Sequence, residues 1–158
     1  MKKCIFILAA ALVLFSACSQ MSEKKYNDTV ANMYTAYATN FASKVTAASS
    51  GTDKEKSMSE LKSITKSTDS CISVMNGLKP SEAAKDFHEK VLKMFQIVKT
   101  DYVPAAEKLL NLNGSQDVEA YNKAIEAFNA AVNKINTGES DAQTAQRTYA
   151  AKVGIKIK

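Results

Sequence analysis

The chain has 158 residues, 46% of them hydrophobic and 23% charged, with three cysteines and a single histidine. That is enough for one domain with a real core. The formal net charge of +5 does not describe a basic body: between Met21 and Gln146 fifteen lysines face all sixteen acids, and the surplus sits at the two ends. A nucleic-acid binder needs a basic face with aromatics or a groove-entering motif; neither is visible, so no nucleic-acid partner is expected.

Lys2 and Lys3 open the chain, and Cys4 to Phe15 is an unbroken apolar run. A membrane-spanning helix needs about 20 apolar residues. This run is shorter, and Ser16-Ala17 follow it, so it reads as an export signal rather than a retained membrane helix. Leu14-Phe15-Ser16-Ala17-Cys18 resembles the lipobox of bacterial lipoprotein precursors, with Phe15 where that family usually has Leu. The resemblance implies that the Cys18 thiol receives a diacylglyceryl group and that residues 1–17 are removed. Residues 18–23 then form a lipidated tether. Two or more acyl chains hold a protein firmly, since each buried methylene contributes about 0.8 kcal/mol, whereas one chain binds marginally. Ser19 follows the cysteine. In well-studied enterobacteria a residue other than Asp there implies the outer membrane, which is therefore favoured over the inner.

Removing residues 1–17 of 158 leaves 141 residues, in which Cys18 carries lipid and only Cys71 is free. An intramolecular disulfide is then impossible, and stability must come from packing.

The body, residues 24–153, reads as helices. Tyr26, Val30, Met33/Tyr34, Tyr37, Phe41, Val45 and Ala48 recur at three and four. Ser49-Ser50-Gly51 ends this first helix. Thr52 with Glu55 makes a capping box for the second. Its stripe is Met58, Leu61, Ile64, Thr68, Cys71/Ile72 and Met75, in a segment rich in Ser and Thr, which are poor helix formers. Asn76-Gly77 stops it and Lys79-Pro80-Ser81 turns the chain.

The third helix runs from about Ser81 to Leu112, with Phe87, Val91, Phe95, Val98 and Tyr102 inward. Pro104 lacks an amide hydrogen and clashes with the preceding turn, so a kink or break is expected near Val103. Ser115 caps the fourth helix, in which Val118, Tyr121, Ile125, Phe128, Val132 and Ile135 repeat. Gly138 weakens that pattern; either the helix runs through, or a separate piece begins near Ser140. Residues 154–158 form a basic tail, expected to fray. Amphipathic helices joined by short turns pack antiparallel to their neighbours. The expected fold is therefore all-α, an antiparallel up-down four-helix bundle, with the third helix kinked at Pro104.

No residue set suggests catalysis. His88 has no second histidine and no glutamate three residues before it, as helical metal sites require, so it reads as a boundary residue with an ordinary hydrogen bond. Cys71 falls on the inward stripe and reads as a small buried hydrophobe. Met33, Met58, Met75 and Met94 read as gap-fillers in the core. No metal, cofactor or enzymatic activity is expected. Asn122, Asn129, Asn133 and Asn136, spaced seven, four and three, form one edge of the fourth helix. They are the candidate ligand-binding residues, set against the plainer reading of a solvated flank.

The whole is similar to small helical-bundle lipoproteins of Bacteroidetes-type bacteria that have no assigned activity. The leading expectation is a lipid-anchored envelope protein that binds a protein or glycan without catalysis. The alternative is a structural or assembly role with a constant protein partner.

Overall fold

A computed structural model of the chain describes residues 21–50 and 53–156. The leader, Cys18, Thr52 and the last two residues lie outside it. The described residues form four helical rods and no strand. The rods are α1 (Glu23–Ser50), α2 (Lys54–Gly77), a third built from α3 (Lys85–Ile97), a π-helical turn (Val98–Tyr102) and α4 (Val103–Leu112), and α5 (Val118–Val153). Short turns join them, so sequence neighbours run antiparallel. The starts of α1 and α3 and the end of α5 share one end of the molecule.

The core follows the apolar periodicity. Tyr26, Val30, Tyr37, Leu61, Ile64, Met75, Phe87, Val91, Phe95 and Val98 are all buried. Rings interlock along it: Tyr37 meets Phe95 edge-on at 4.9 Å, and Tyr102 bridges Phe41 at 5.3 Å and Phe128 at 5.4 Å. These spacings suit edge-to-face and tilted aromatic pairs. The hydroxyl residues of α2 are accommodated individually. Ser57 and Thr68 are buried; Ser57 Oγ donates to the Ala48 carbonyl at 2.7 Å, and Thr68 Oγ1 to the Ile64 carbonyl at 2.8 Å. Thr65 and Ser70 bond their own preceding turns, the usual way such residues persist inside a helix.

Four local details sharpen the sequence pattern. Asp53 caps α2, its carboxylate accepting from the amides of Glu55 at 2.9 Å and Lys56 at 3.3 Å; the Thr52 of the expected capping box lies outside the described residues. Asp117, not Ser115, caps α5, accepting from Ala120 N at 2.9 Å. Carboxylates match the positive end of the helix better than the neighbouring hydroxyls do. The interruption before Pro104 takes the form of a π turn, in which Val103 N donates to the Val98 carbonyl five residues back. Proline cannot donate to the carbonyl four residues back, and the wider turn carries the chain past it with right-handed helical torsions at both junctions. Val98 and Val103, five apart, both face the core.

Lastly, α5 runs unbroken through Gly138. A Cβ there would stand 3.4 Å from Ile97 Cδ1 and 3.7 Å from Met94 Cβ, so Gly138 sits where α3 and α5 cross closely. The centre of α5's buried face is small: Ala124, Ala131, Ala142 and Ala145, then Tyr149. The large residues Tyr121, Ile125, Phe128, Val132 and Ile135 are only half-buried at its side, and Val118 is 66% exposed. Gly154 ends α5 in the left-handed region at φ 72°, where glycine is preferred. The turn folds the tail back, so that Ile155 packs against the core and the start of the tail is ordered.

Candidate functional site

Packing between neighbouring rods is uneven. α1 lies close along α2, and α3 close along α5, while α1 and α5 approach each other least. The reason is visible in α1. Apart from Tyr34, the α1 residues that line its seam with α5 are Lys24, Asn27, Asp28, Ala31, Asn32 and Thr35, side chains too small or too polar to draw the two helices together. From α5, Gln143, Gln146 and Arg147 face them, and Lys156 comes from the folded-back tail. The seam opens as a groove of about 780 Å³. Lys24 to Thr35 spans eleven residues, or roughly 16 Å of helix.

The groove is built rather than incidental. Asn27 is 5% exposed, and its Oδ1 accepts from Gln146 Nε2 at 3.0 Å across the seam. Beneath it, Val30, Phe87, Val91 and Ala142 close the floor around a hollow of about 30 Å³. Tyr34 lines both levels, and Glu139 of α5 borders the lower one. Burial, reinforced by that carboxylate, raises the Tyr34 pKa well above its ordinary value. Lys24 is committed to Asp28, whereas Arg147 and Lys156 have no ion-pair partner among the described residues.

At the shared end, buried polar groups tie α1, α3 and α5 together. The Tyr149 hydroxyl lies 2.6 Å from a Glu23 carboxylate oxygen and 2.8 Å from the Glu23 carbonyl, and Ser81 Oγ donates to the same carboxylate at 3.0 Å. The Tyr26 hydroxyl stands 2.7 Å from His88 Nδ1. Burial raises the pKa of Tyr26 and Tyr149, with Glu23 adding to both, and lowers that of His88 against the opposing charge of Glu89. His88 is thus a half-buried residue with one ordinary partner. Among the described residues, no group of three or more His, Cys, Asp or Glu side chains is placed to hold a metal ion. Cys71 is free and half-buried, and burial pushes its thiol pKa up.

Asn122, Asn129, Asn133 and Asn136 are all exposed on α5. Of these, Asn133 borders a second groove, about 670 Å³, between α3 and α5. There Ile97, Ala130 and Gly138 form the base, and the rim carries Lys90, Lys93 and Lys134 with Asp101 and Asp141. Lys134 pairs with Asp101, and Lys90 with Asp141 at 3.8 Å. Asn27, Asn32, Gln143 and Gln146 escaped the sequence reading, though one signal was present in α5, where Gln143 and Gln146 recur one turn apart, each after an alanine. Comparisons of the chain with known protein families, with curated proteins and with solved structures found no match.

Proposed function

We propose that this protein is a lipid-anchored, non-enzymatic binding module of a bacterial cell envelope, held by a diacylglyceryl group on Cys18 and taking its ligand in the α1–α5 groove. The anchor rests on the leader, from Lys2 to Cys18. The binding role rests on one observation above the others: the seam between α1 and α5 stays open over a firm floor and is lined by primary amides. Binding sites are concave, largely preformed and furnished with a few placed polar groups. No helix among the described residues is long and apolar enough to cross a membrane. In this reading the lipid is the membrane attachment, and the outer membrane is the favoured location.

The exposed edge of Asn122, Asn129 and Asn136 favours a second reading, an assembly lipoprotein with a constant protein partner, because these side chains lie on an outer surface rather than in the α1–α5 concavity. One experiment separates the two. A photocrosslinking residue is placed at Asn32 or at Asn129 in the lipidated protein in intact cells. An adduct from the Asn32 position, with none from Asn129, supports the groove. One recurring protein adduct from Asn129 alone supports assembly and removes the groove reading. Palmitate labelling that persists in Cys18→Ala would overturn the anchor. Protease treatment of intact cells carrying an epitope after Lys158 then assigns the side of the membrane on which the domain works.

A further inference from the structure

The lining of the α1–α5 groove is net positive. Its lining residues carry three cations, Lys24, Arg147 and Lys156, against one acid, Asp28. Lys24 is paired with Asp28, which leaves two uncommitted positive charges at the end of the seam nearest the tail. In the α3–α5 groove Lys134 and Lys90 hold Asp101 and Asp141, which leaves a smaller surplus, Lys93 alone. Arg147 is the better anchor of the two free cations, because a guanidinium meets a carboxylate through two parallel hydrogen bonds.

The remaining lining groups are matched to hydroxyls. Asn32, Gln143 and Gln146 each present a donor and an acceptor on one side chain. Gln146 gives one amide hydrogen to Asn27 and keeps its carbonyl oxygen, while Asn27 is held rigid by its burial. Paired donors and acceptors at fixed spacing suit neighbouring sugar hydroxyls. A helical peptide would need an apolar groove for its anchor side chains, and the open level of the seam offers only Ala31 and Tyr34 as apolar surface.

We infer that the α1–α5 groove binds an acidic saccharide, its carboxylate held by Arg147 and Lys156 and its hydroxyls by Asn32, Gln143 and Gln146. This rests on the binding-groove reading and narrows it to a ligand class. The tail then has a role: Gly154 turns Lys156 back over the groove, and Lys156 supplies one of its two free charges.

The test uses the full-length protein, lipidated and solubilised in detergent. The probes are oligogalacturonate, an alginate tetramer and a hyaluronan tetrasaccharide, each beside its carboxyl methyl ester, which keeps the hydroxyls and removes the charge. Affinity is measured for the wild type and for the double variant Arg147→Gln, Lys156→Gln, both exposed positions whose replacement leaves the core intact. The expected result is that at least one free acid binds tenfold or more tightly than its ester, and that the double variant loses this advantage with an unchanged melting temperature. Equal affinity for acid and ester overturns the acidic preference while leaving the groove standing. A preference that survives in the double variant places the carboxylate elsewhere and overturns the assignment. No binding of any probe overturns the saccharide inference, whereas the groove itself falls only if the Asn32 crosslinker captures nothing.

Discussion

The hydroxyl pair Tyr37–Thr68 shows how single residues carry this core. Thr68 is fully buried, and its one hydroxyl hydrogen goes to the Ile64 carbonyl. The Tyr37 hydroxyl, 2.8 Å away, must therefore be the donor in their contact. Thr68→Val removes its acceptor and leaves a buried hydroxyl unpaired, a loss of about 1–3 kcal/mol. Tyr37→Phe costs less, because Thr68 keeps its own donor bond. The double replacement should cost less than the sum of the two, and urea denaturation of the four proteins measures the coupling. His88 gives a second residue-scale prediction. Burial lowers its pKa, so the folded protein prefers the neutral ring. The unfolded chain takes up a proton near pH 6.5. The stability His88 contributes is thus complete above that pH and declines as the pH falls toward the folded value. Proton NMR should place the folded titration below the free histidine value. His88→Gln, still able to accept from Tyr26, should flatten stability between pH 7 and 5; an unchanged slope would assign the loss to other groups.

Among the elements, α5 was only half legible. Its helical period was plain, but the eye follows large apolar residues, and the face they mark is displaced from the one that is buried. α3 comes so close that the centre of the contact admits only Ala131, Gly138 and Ala142, and the bulky residues are pushed to the side. Which helix packs tightly on which is a tertiary fact that one sequence does not carry. The same applies to the candidate site. Asn27 and Asn129 look alike, each one position past an apolar residue in a helix, yet Asn27 is buried because Gln146 reaches it, and Asn129 faces solvent. The cap of α5 was missed for a smaller reason, since Ser115 and Asp117 both stand at the helix start and the carboxylate is the one that accepts from the first turn. The period of α1 and α2, by contrast, was readable down to individual buried positions such as Val30 and Ile64. Gly138 converts this into a prediction. It costs helix stability relative to alanine by about 0.5–1 kcal/mol, and a Cβ there meets Ile97 at an ordinary contact distance. Gly138→Ala should therefore raise the melting temperature without altering the helical spectrum. A loss of stability would mean that α3 and α5 cannot tolerate even a methyl group at their crossing.

At the scale of the whole molecule, the bundle is held by tyrosines placed where aliphatic residues or a disulfide would serve elsewhere. Five of the six tyrosines, Tyr26, Tyr34, Tyr37, Tyr102 and Tyr149, have pKa values raised chiefly by burial, that of Tyr37 to about 12. They lie on three of the four rods and touch one another's aromatic partners, as Tyr26 does Tyr149 and Tyr37 does Phe95. Their titration is therefore a property of the fold rather than of one site. A raised pKa on an acid means that the unfolded chain releases its proton first. The stability these groups contribute is complete below about pH 10, the unfolded value, and is lost progressively as the pH rises toward the folded values. Because the five shifts share one direction, they add, and the protein should show a steep alkaline transition above pH 10, preceded by a smaller loss between pH 8 and 10 as the Cys71 thiol and the first tyrosines ionise in the unfolded chain. Urea midpoints at pH 8, 10 and 11, followed by circular dichroism, should fall slightly over the first interval and steeply over the second. In a Tyr121→Phe background, which leaves the five packed rings, tyrosinate absorbance should rise together with the loss of helix, not before it. Tyr37→Phe should lessen the fall, having removed one of the contributing protons. If tyrosinate forms near pH 10 with the helices intact, the rings are open to water, and the aromatic packing described for α1, α3 and α5 does not hold in solution.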